Sequence, residues 1–428
     1  MARLQGQCFG KRPINVAAVL KGYKGIKKMT IKVLKGFLYL LLALIAVVLS
    51  IVGTAWALTF QHEINQSHDT PYVRDDILSI DQPKSEALWE VLLLGDAGDS
   101  TLVPWHQTLA MASEMAAKRP DQTSVVMLGD NIYFFGYPNL DEEQTEYDQE
   151  QLELIDRLNA QLQVSKRSKA ELFLVPGNHD WYAEQVDTQA EHVLAYARAQ
   201  GAPVSFQPWV KDQQPLPEVV HRAGVSIIFL DTQWLITTDQ IGFELAMDRL
   251  EQILTSTLTQ HPDNLILATG HHPIQTMGPH AQFYTNRSYA FFMELVGLFS
   301  EPDQDIHNPP YQRLITGLND AFTVDANLIY AAGHEHSLQI FEALSPTFEM
   351  EAALVAEPSA AKALTLGADY QLVSGAAHHK KVSGVGHNDN TLFAVATEGF
   401  MKLSIYPEGT TVEVISSKGE LLHRQWLR

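Results

Sequence analysis

The chain of 428 residues is 46% hydrophobic and 9% aromatic, enough for a full core, and carries a formal charge of −20. The first 62 residues hold nine Lys/Arg and no acidic residue, which leaves 21 Lys/Arg against 50 Asp/Glu in the remainder. So acidic a body excludes nucleic acid as an electrostatic partner. The single cysteine, Cys8, excludes an internal disulfide or a thiolate metal cluster.

Residues 1–35 form the basic N-terminal segment, and residues 36–60, "GFLYLLLALIAVVLSIVGTAWALTF", contain no charge. That run is long enough to cross a hydrocarbon core of about 30 Å. With the lysines on its N-terminal side, the positive-inside rule assigns residues 1–35 to the cytoplasm and everything after Phe60 to the far side. The favoured reading is a single-pass anchor with the body in the periplasm or outside the cell. A cleaved signal peptide is the alternative, because "AWA" at 55–57 has the small-residue character of a cleavage site. Residues 61–88 are polar with two prolines and read as a linker.

From Trp89 a pattern repeats, in which a short β-rich run ends abruptly in glycine and polar residues. The runs are "EVLLLGDAGD", "SVVMLGDNIY", "LFLVPGNHD", "SIIFLDTQW", "LILATGHHP" and "LIYAAGHEH". Continuous apolar runs of this kind suit strands buried on both faces. Between them, residues 105–118 and 240–259 place apolar side chains at three- and four-residue spacing and are expected as helices; 146–163 and 310–322 are weaker helical segments. Beyond Tyr370 short strands follow one another without helices, so an antiparallel portion closing a second sheet is expected. The alternation defines a layered α/β domain over residues 89–428.

Ligands of open α/β sheets collect at the carboxyl ends of the strands. Here those ends present Asp96, Asp130, Asn178 with His179, Asp231, His271 with His272, and His334 with His336. Each alone is ordinary: a "GD" turn is common, and a strand-end histidine is usually satisfied or exposed. Together they are not, because burying so many polar groups without partners costs several kcal/mol. A metal cluster satisfies them at once. Carboxylate, amide and imidazole donors without thiolate suit Fe, Mn or Zn. Two such ions, about 3.5–4 Å apart and sharing a carboxylate, form the usual arrangement for phosphoester hydrolysis.

The blocks "GDAG", "GDNIY", "GNHD", "GHHP" and "GHEH" occur in the order of the metallophosphoesterase superfamily. More narrowly, the chain resembles the purple acid phosphatases, especially the small tartrate-resistant type. The resemblance implies an α/β/β/α sandwich with two mixed sheets and a dinuclear centre of Fe(III) with a divalent Fe, Zn or Mn. It further implies that Asp96, Asp130, Tyr133 and His336 hold the first metal, and that Asp130 bridges to a second held by Asn178, His271 and His334. In the wider superfamily the first block is Asp-x-His, and here that histidine position is Gly98. The purple phosphatases share the gap and fill it with the tyrosine of the second block. Tyr133 therefore reads as a ligand rather than as an aromatic packed beside Phe134 and Phe135.

The implied chemistry is hydrolysis of a small phosphate monoester by in-line attack of a metal-bound hydroxide. Asn178, His179 and His280 contact the phosphate, and His179 or His280 protonates the leaving group. Asp180 is expected either to orient His179 or to form a turn, and Asp231 to be structural. His106 is expected on a helix surface, with His272 and the pair His378–His379 left open. A phosphodiesterase or nucleotide hydrolase on the same metals is the alternative, and a non-catalytic metal-containing cell-surface binding protein is the alternative of another class. Residues 281–320 and the segment between "GHEHSLQIF" and "YQLVSGA" are longer than the small enzymes carry, and could cap the cleft.

Overall fold

The computed structural model describes residues 16–60, 64–77, 83–139, 146–209, 214–298, 304–324, 327–344, 366–377 and 382–427. His378–His379 and most of the segment before "YQLVSGA" lie outside them. Two compact units divide the chain. The larger comprises His62–Ala290 and Glu301–Arg428; the smaller joins the N-terminal helix to the segment beginning at Phe291.

In the smaller unit one helix runs unbroken over Val16–Thr59, so part of the basic segment is helical as well. Among the described residues, Tyr39–Thr59 is long and apolar enough to cross a membrane, and only 6% of that stretch is buried in the protein. Leu40, Leu44, Val47 and Leu49 are among its exposed side chains.

The larger unit holds two mixed sheets. Seven described strands make one, in the order Leu421–Leu427, Gly409–Ser416, Gly399–Tyr406, Trp89–Leu94, Thr123–Leu128, Glu171–Val175, Val204–Phe206. Its last four strands are parallel, and Gly399–Tyr406 runs antiparallel to Trp89–Leu94. Eight described strands make the other, whose parallel centre is Val225–Phe229, Leu265–Thr269, Leu328–Ala332 and Leu366–Ser374. The C-terminal strands are therefore shared between both sheets rather than closing one.

Helices Gln107–Ala116, Gln149–Ser168 and Val186–Gln200 cover the outer face of the first sheet through Leu109, Leu158 and Val193. Thr232–Thr237, Gln240–Gln260 and Pro309–Phe322 cover the second through Leu235, Leu250 and Leu318. Between the sheets lies a core drawn from both, with Leu93, Leu128, Phe229, Leu267, Phe393 and Leu403 fully buried. The layers are thus α/β/β/α, as the resemblance implies. Each central strand faces apolar neighbours on both sides, which is why it reads as a continuous apolar run.

Part of the expected linker is built into the domain. Tyr72 and Val73 pair antiparallel with Ala394 and Phe393 at the edge of the eight-stranded sheet. Arg74 adds a two-pronged pair to Glu342 at 2.5 and 3.0 Å. Two residues of strand are too short to show an alternating pattern, and the tertiary partners decide the outcome.

Phe173 of the first sheet meets Phe229 of the second with ring centroids 4.9 Å apart. Phe229→Ala opens a cavity at this join and is expected to cost about 3–5 kcal/mol, read as a drop in thermal unfolding midpoint. A shift within error of zero contradicts the inter-sheet packing.

Candidate metal centre

Asp96 follows strand Trp89–Leu94, Asp130 follows Thr123–Leu128, and Asn178 opens a one-turn helix after Glu171–Val175. His271 follows Leu265–Thr269, and His334 and His336 sit just beyond Leu328–Ala332. Carboxyl ends of parallel strands from both sheets thus deliver every side chain. Three of them carry left-handed backbone: Asp96 at φ 62°, Asp130 at 52° and His334 at 68°. Such conformations cost a non-glycine residue about 1–3 kcal/mol and concentrate at functional sites. Interlocking bonds hold them: Asp96 N donates to Gly129 O at 3.0 Å, and His334 N donates to Asp96 Oδ2 at 2.8 Å.

The donors fall into two adjoining groups. In one, the Tyr133 hydroxyl donates to Asp96 Oδ1 at 2.9 Å and lies 3.0 Å from His336 Nε2. His336 Nε2 is itself 3.3 Å from Asp96 Oδ1. In the other, His271 Nε2 lies 3.0 Å from Asn178 Oδ1, 3.2 Å from His334 Nδ1 and 3.3 Å from Asp130 Oδ1. Asp96, Asp130 and His271 each offer a ligand atom within 4.8 Å of the others, and all three are buried. The structure therefore brings together all seven residues that the resemblance names. Tyr133 is 1% exposed while Phe134 and Phe135 are 51% and 73% exposed. Its phenol oxygen is turned into the cluster, while its ring still lies 5.6 Å from that of Phe134.

Neighbouring bonds fix which atoms face inward. His271 Nδ1 donates to Leu128 O at 2.8 Å, which leaves Nε2 as the ring nitrogen that faces Asp130. Asn178 Nδ2 donates to Tyr182 Oη at 2.6 Å and so turns Oδ1 to the cluster.

Charge is the strain in this arrangement. Burial pushes the Asp130 carboxyl up, but His271 and His179 outweigh it and hold it well below the usual carboxylate range. Burial likewise opposes a charged His271, yet Asp130 raises it to about 9. His336 is raised by Asp96 against its own burial. Burial, Asp130 and Asp96 together raise the Tyr133 phenol, and burial and His280 lower His334. Without a cation the carboxylates are balanced by protons on the imidazoles. Oxygen-rich donors with imidazole and no thiolate suit a hard or borderline cation, which takes over that balance as it displaces the protons. The residues fit a dinuclear metal site.

His179 and His280 flank the cluster. His179 Nδ1 lies 2.5 Å from Phe134 O and Nε2 lies 3.9 Å from Asp130 Oδ2, with the side chain 22% exposed. The His280 ring stacks on His334 at 4.0 Å, and burial with His336 lowers it to about 4. Asp180 does not orient His179. Its oxygens accept from Gly177 N at 2.7 Å, from Asn131 and from Gln189, so it braces the "GNHD" turn against the "GDN" turn. Asp231 caps helix Thr232–Thr237 and accepts from Trp181 Nε1, the structural part expected of it. His106 precedes helix Gln107–Ala116 and pairs with Glu398 at 3.0 Å. His272 is buried between Thr232 Oγ1 and Gln304 Oε1.

Three residues had no reading in the sequence. Arg157 reaches from helix Gln149–Ser168 to pair with buried Asp99 at 2.9 Å and to donate to Tyr133 O at 2.6 Å. Asp99 could have been noticed as the second aspartate of "GDAGD"; nothing in a helical Arg 58 positions later marked its partner. Glu335, between the two terminal histidines, accepts from His280 N at 3.2 Å and abuts Gly278, holding the His280 turn.

The calcineurin-like phosphoesterase profile matches residues 90–338, and the chain belongs to that family. Members are in general metal-dependent phosphoester hydrolases that act on small phosphorylated substrates. No curated protein matches the chain in sequence. Among solved structures it is similar to GAP50, described as the anchor in the inner membrane complex of Plasmodium, at 16% identity and TM-score 0.46, over 80% of this chain and 89% of that one. It is also similar to a dimetal phosphatase from Danio rerio, at 12% identity and TM-score 0.43, over 80% and 98%. A third is PhoD, at 13% identity and TM-score 0.42, over 81% and 70%.

Gly98 explains why a tyrosine and not a histidine completes the first group. A Cβ there would lie 2.5 Å from Asp130 O and 2.9 Å from Tyr133 N, so the turn carrying Asp130 has closed over the position. Adding Gly98→His to Tyr133→Phe is therefore expected to restore no metal. The check is metal per chain by mass spectrometry; a double variant that recovers the wild-type content contradicts the steric account.

Proposed function

We propose that the protein is a membrane-anchored acid phosphatase of the purple type, hydrolysing phosphate monoesters at a tyrosinate-ligated Fe(III) paired with a divalent metal. The observation that carries the reading is the Tyr133 hydroxyl seated between Asp96 Oδ1 and His336 Nε2. Asp96, Asp130, Tyr133 and His336 would hold the iron, and Asp130, Asn178, His271 and His334 the second ion. Bound there, the two ions supply Lewis acidity and an activated water at mildly acidic pH.

The chain's own groups do the rest. Asn178, His179 and His280 receive the phosphate oxygens at the mouth of the cluster. His280, held neutral by its burial, donates through a ring N–H to the phosphate. His179, whose side chain is 22% exposed, is placed to give up a proton to the leaving alkoxide. Phe134, half exposed and with its ring 5.8 Å from that of His179, offers an apolar rim for the alcohol portion of the substrate. The apolar stretch of the N-terminal helix supports a single-pass anchor, and the lysine bias before it supports a body on the periplasmic or extracellular side.

Purified protein is expected to be purple or pink from phenolate-to-iron charge transfer and to hydrolyse p-nitrophenyl phosphate. Asp130→Ala is expected to abolish turnover. Tyr133→Phe is expected to lose the visible band, and His179→Asn to lower kcat by about 10²–10⁴. A colourless, iron-loaded wild type contradicts the tyrosinate assignment. Cleavage of bis(p-nitrophenyl) phosphate in preference to the monoester supports the diesterase alternative. No turnover with any metal supports a binding protein.

A further inference from the structure

The helix Arg287–Gly297 is poorly accommodated by the protein around it. Ala290 is its one buried residue among those described, although most of the helix is apolar. Tyr289 is 39% exposed and Phe292 57%, and Val296 lies four residues beyond Phe292, so the three line one helical face. Leu298, just past the helix end, is 39% exposed. An aromatic and aliphatic stripe that the protein covers only in part, with Tyr289 against Tyr284 at 5.8 Å, implies an apolar partner.

The smaller unit says which partner. Phe291 packs edge-on against Trp56 with centroids 5.8 Å apart, and Trp56 packs edge-on against Phe60 at 5.3 Å. Trp56 and Phe60 lie at the C-terminal end of the apolar stretch and are themselves 51% and 59% exposed. Tryptophan and other aromatics at the end of a span sit at headgroup level, where an apolar ring and a polar edge are both satisfied. Through Phe291 the helix thus sits beside the end of the span, at the depth where a bilayer changes from acyl chain to headgroup. Arg287 and Glu294 lie on the side of the helix opposite that stripe, which makes the helix amphipathic.

We propose that Arg287–Gly297 is an interfacial helix, lying in the outer leaflet's headgroup region with Tyr289, Phe292 and Val296 against the acyl chains. This rests on the reading of Tyr39–Thr59 as a membrane span.

The full chain is tested in phosphatidylcholine–phosphatidylglycerol vesicles, with Cys8 replaced by serine. Single cysteines are placed at Leu44→Cys, Phe292→Cys and, as an exposed control on helix Gln240–Gln260, Gln252→Cys, and each is labelled with an environment-sensitive fluorophore. Nitroxide lipids labelled near the headgroup or deep in the acyl chain serve as quenchers. The expected result is deep quenching at position 44, shallow quenching with blue-shifted emission at 292, and neither at 252. A deep probe at 44 with a 292 probe indistinguishable from 252 overturns the interfacial helix alone. A 44 probe that no lipid quenches overturns the span, and the interfacial helix with it.

Discussion

Everything at this site depends on two buried carboxylates at the ends of adjacent parallel strands. Asp96 is fully buried and Asp130 is 2% exposed, and both belong to one constellation with His271. Taking two like charges out of water is prohibitive unless cations sit between them. Much of the surrounding design serves to prevent the alternatives of retreat and rotation. Left-handed backbone at both aspartates aims them inward, and Asp99, Asp180 and Arg157 brace the turns from behind. The second sheet then brings three imidazoles from the opposite side. In the folded chain the two carboxylates are balanced by protons on His271 and His336, and a bound cation would take over that balance.

The strands that carry this chemistry were legible because their burial is extreme. A strand covered on both faces must be apolar throughout, so it ends visibly where polar residues begin. All six such runs are strands whose ends lie in this region. Helices Gln107–Ala116 and Gln240–Gln260 were legible from their periodicity, and lie within two residues of the expected bounds. Val186–Gln200 escaped notice because its buried stripe is Val186, Gln189, Ala190 and Val193, too small and too polar to stand out. The edge strand at Tyr72–Val73 escaped because pairing, and not composition, makes it a strand.

At the site, the residues with strong chemical identity were found from sequence and the ones that position them were not. Seven donors stood in motifs, whereas Arg157 works through a backbone carbonyl on a different element, a contact that no local pattern encodes. Asp180 shows the converse. It was visible and correctly suspected of a turn, but the sequence could not exclude a bond to His179 that the fold does not make. Tyr133 was legible only through the resemblance, in which Gly98 stands where the wider superfamily has a histidine and the tyrosine is expected to take its place. The structure adds the reason, since the backbone of Asp130 and Tyr133 occupies the space that a side chain at 98 would need.

The most direct test of a two-metal, tyrosinate-containing centre is anomalous diffraction from crystals of the purified protein, collected on both sides of the iron edge. Two peaks are expected on either side of the Asp130 carboxylate. The one bonded to Tyr133 Oη and His336 Nε2 should carry the iron signal, and the other should contact Asn178, His271 and His334. A single peak, or an iron peak that Tyr133 does not touch, contradicts the account.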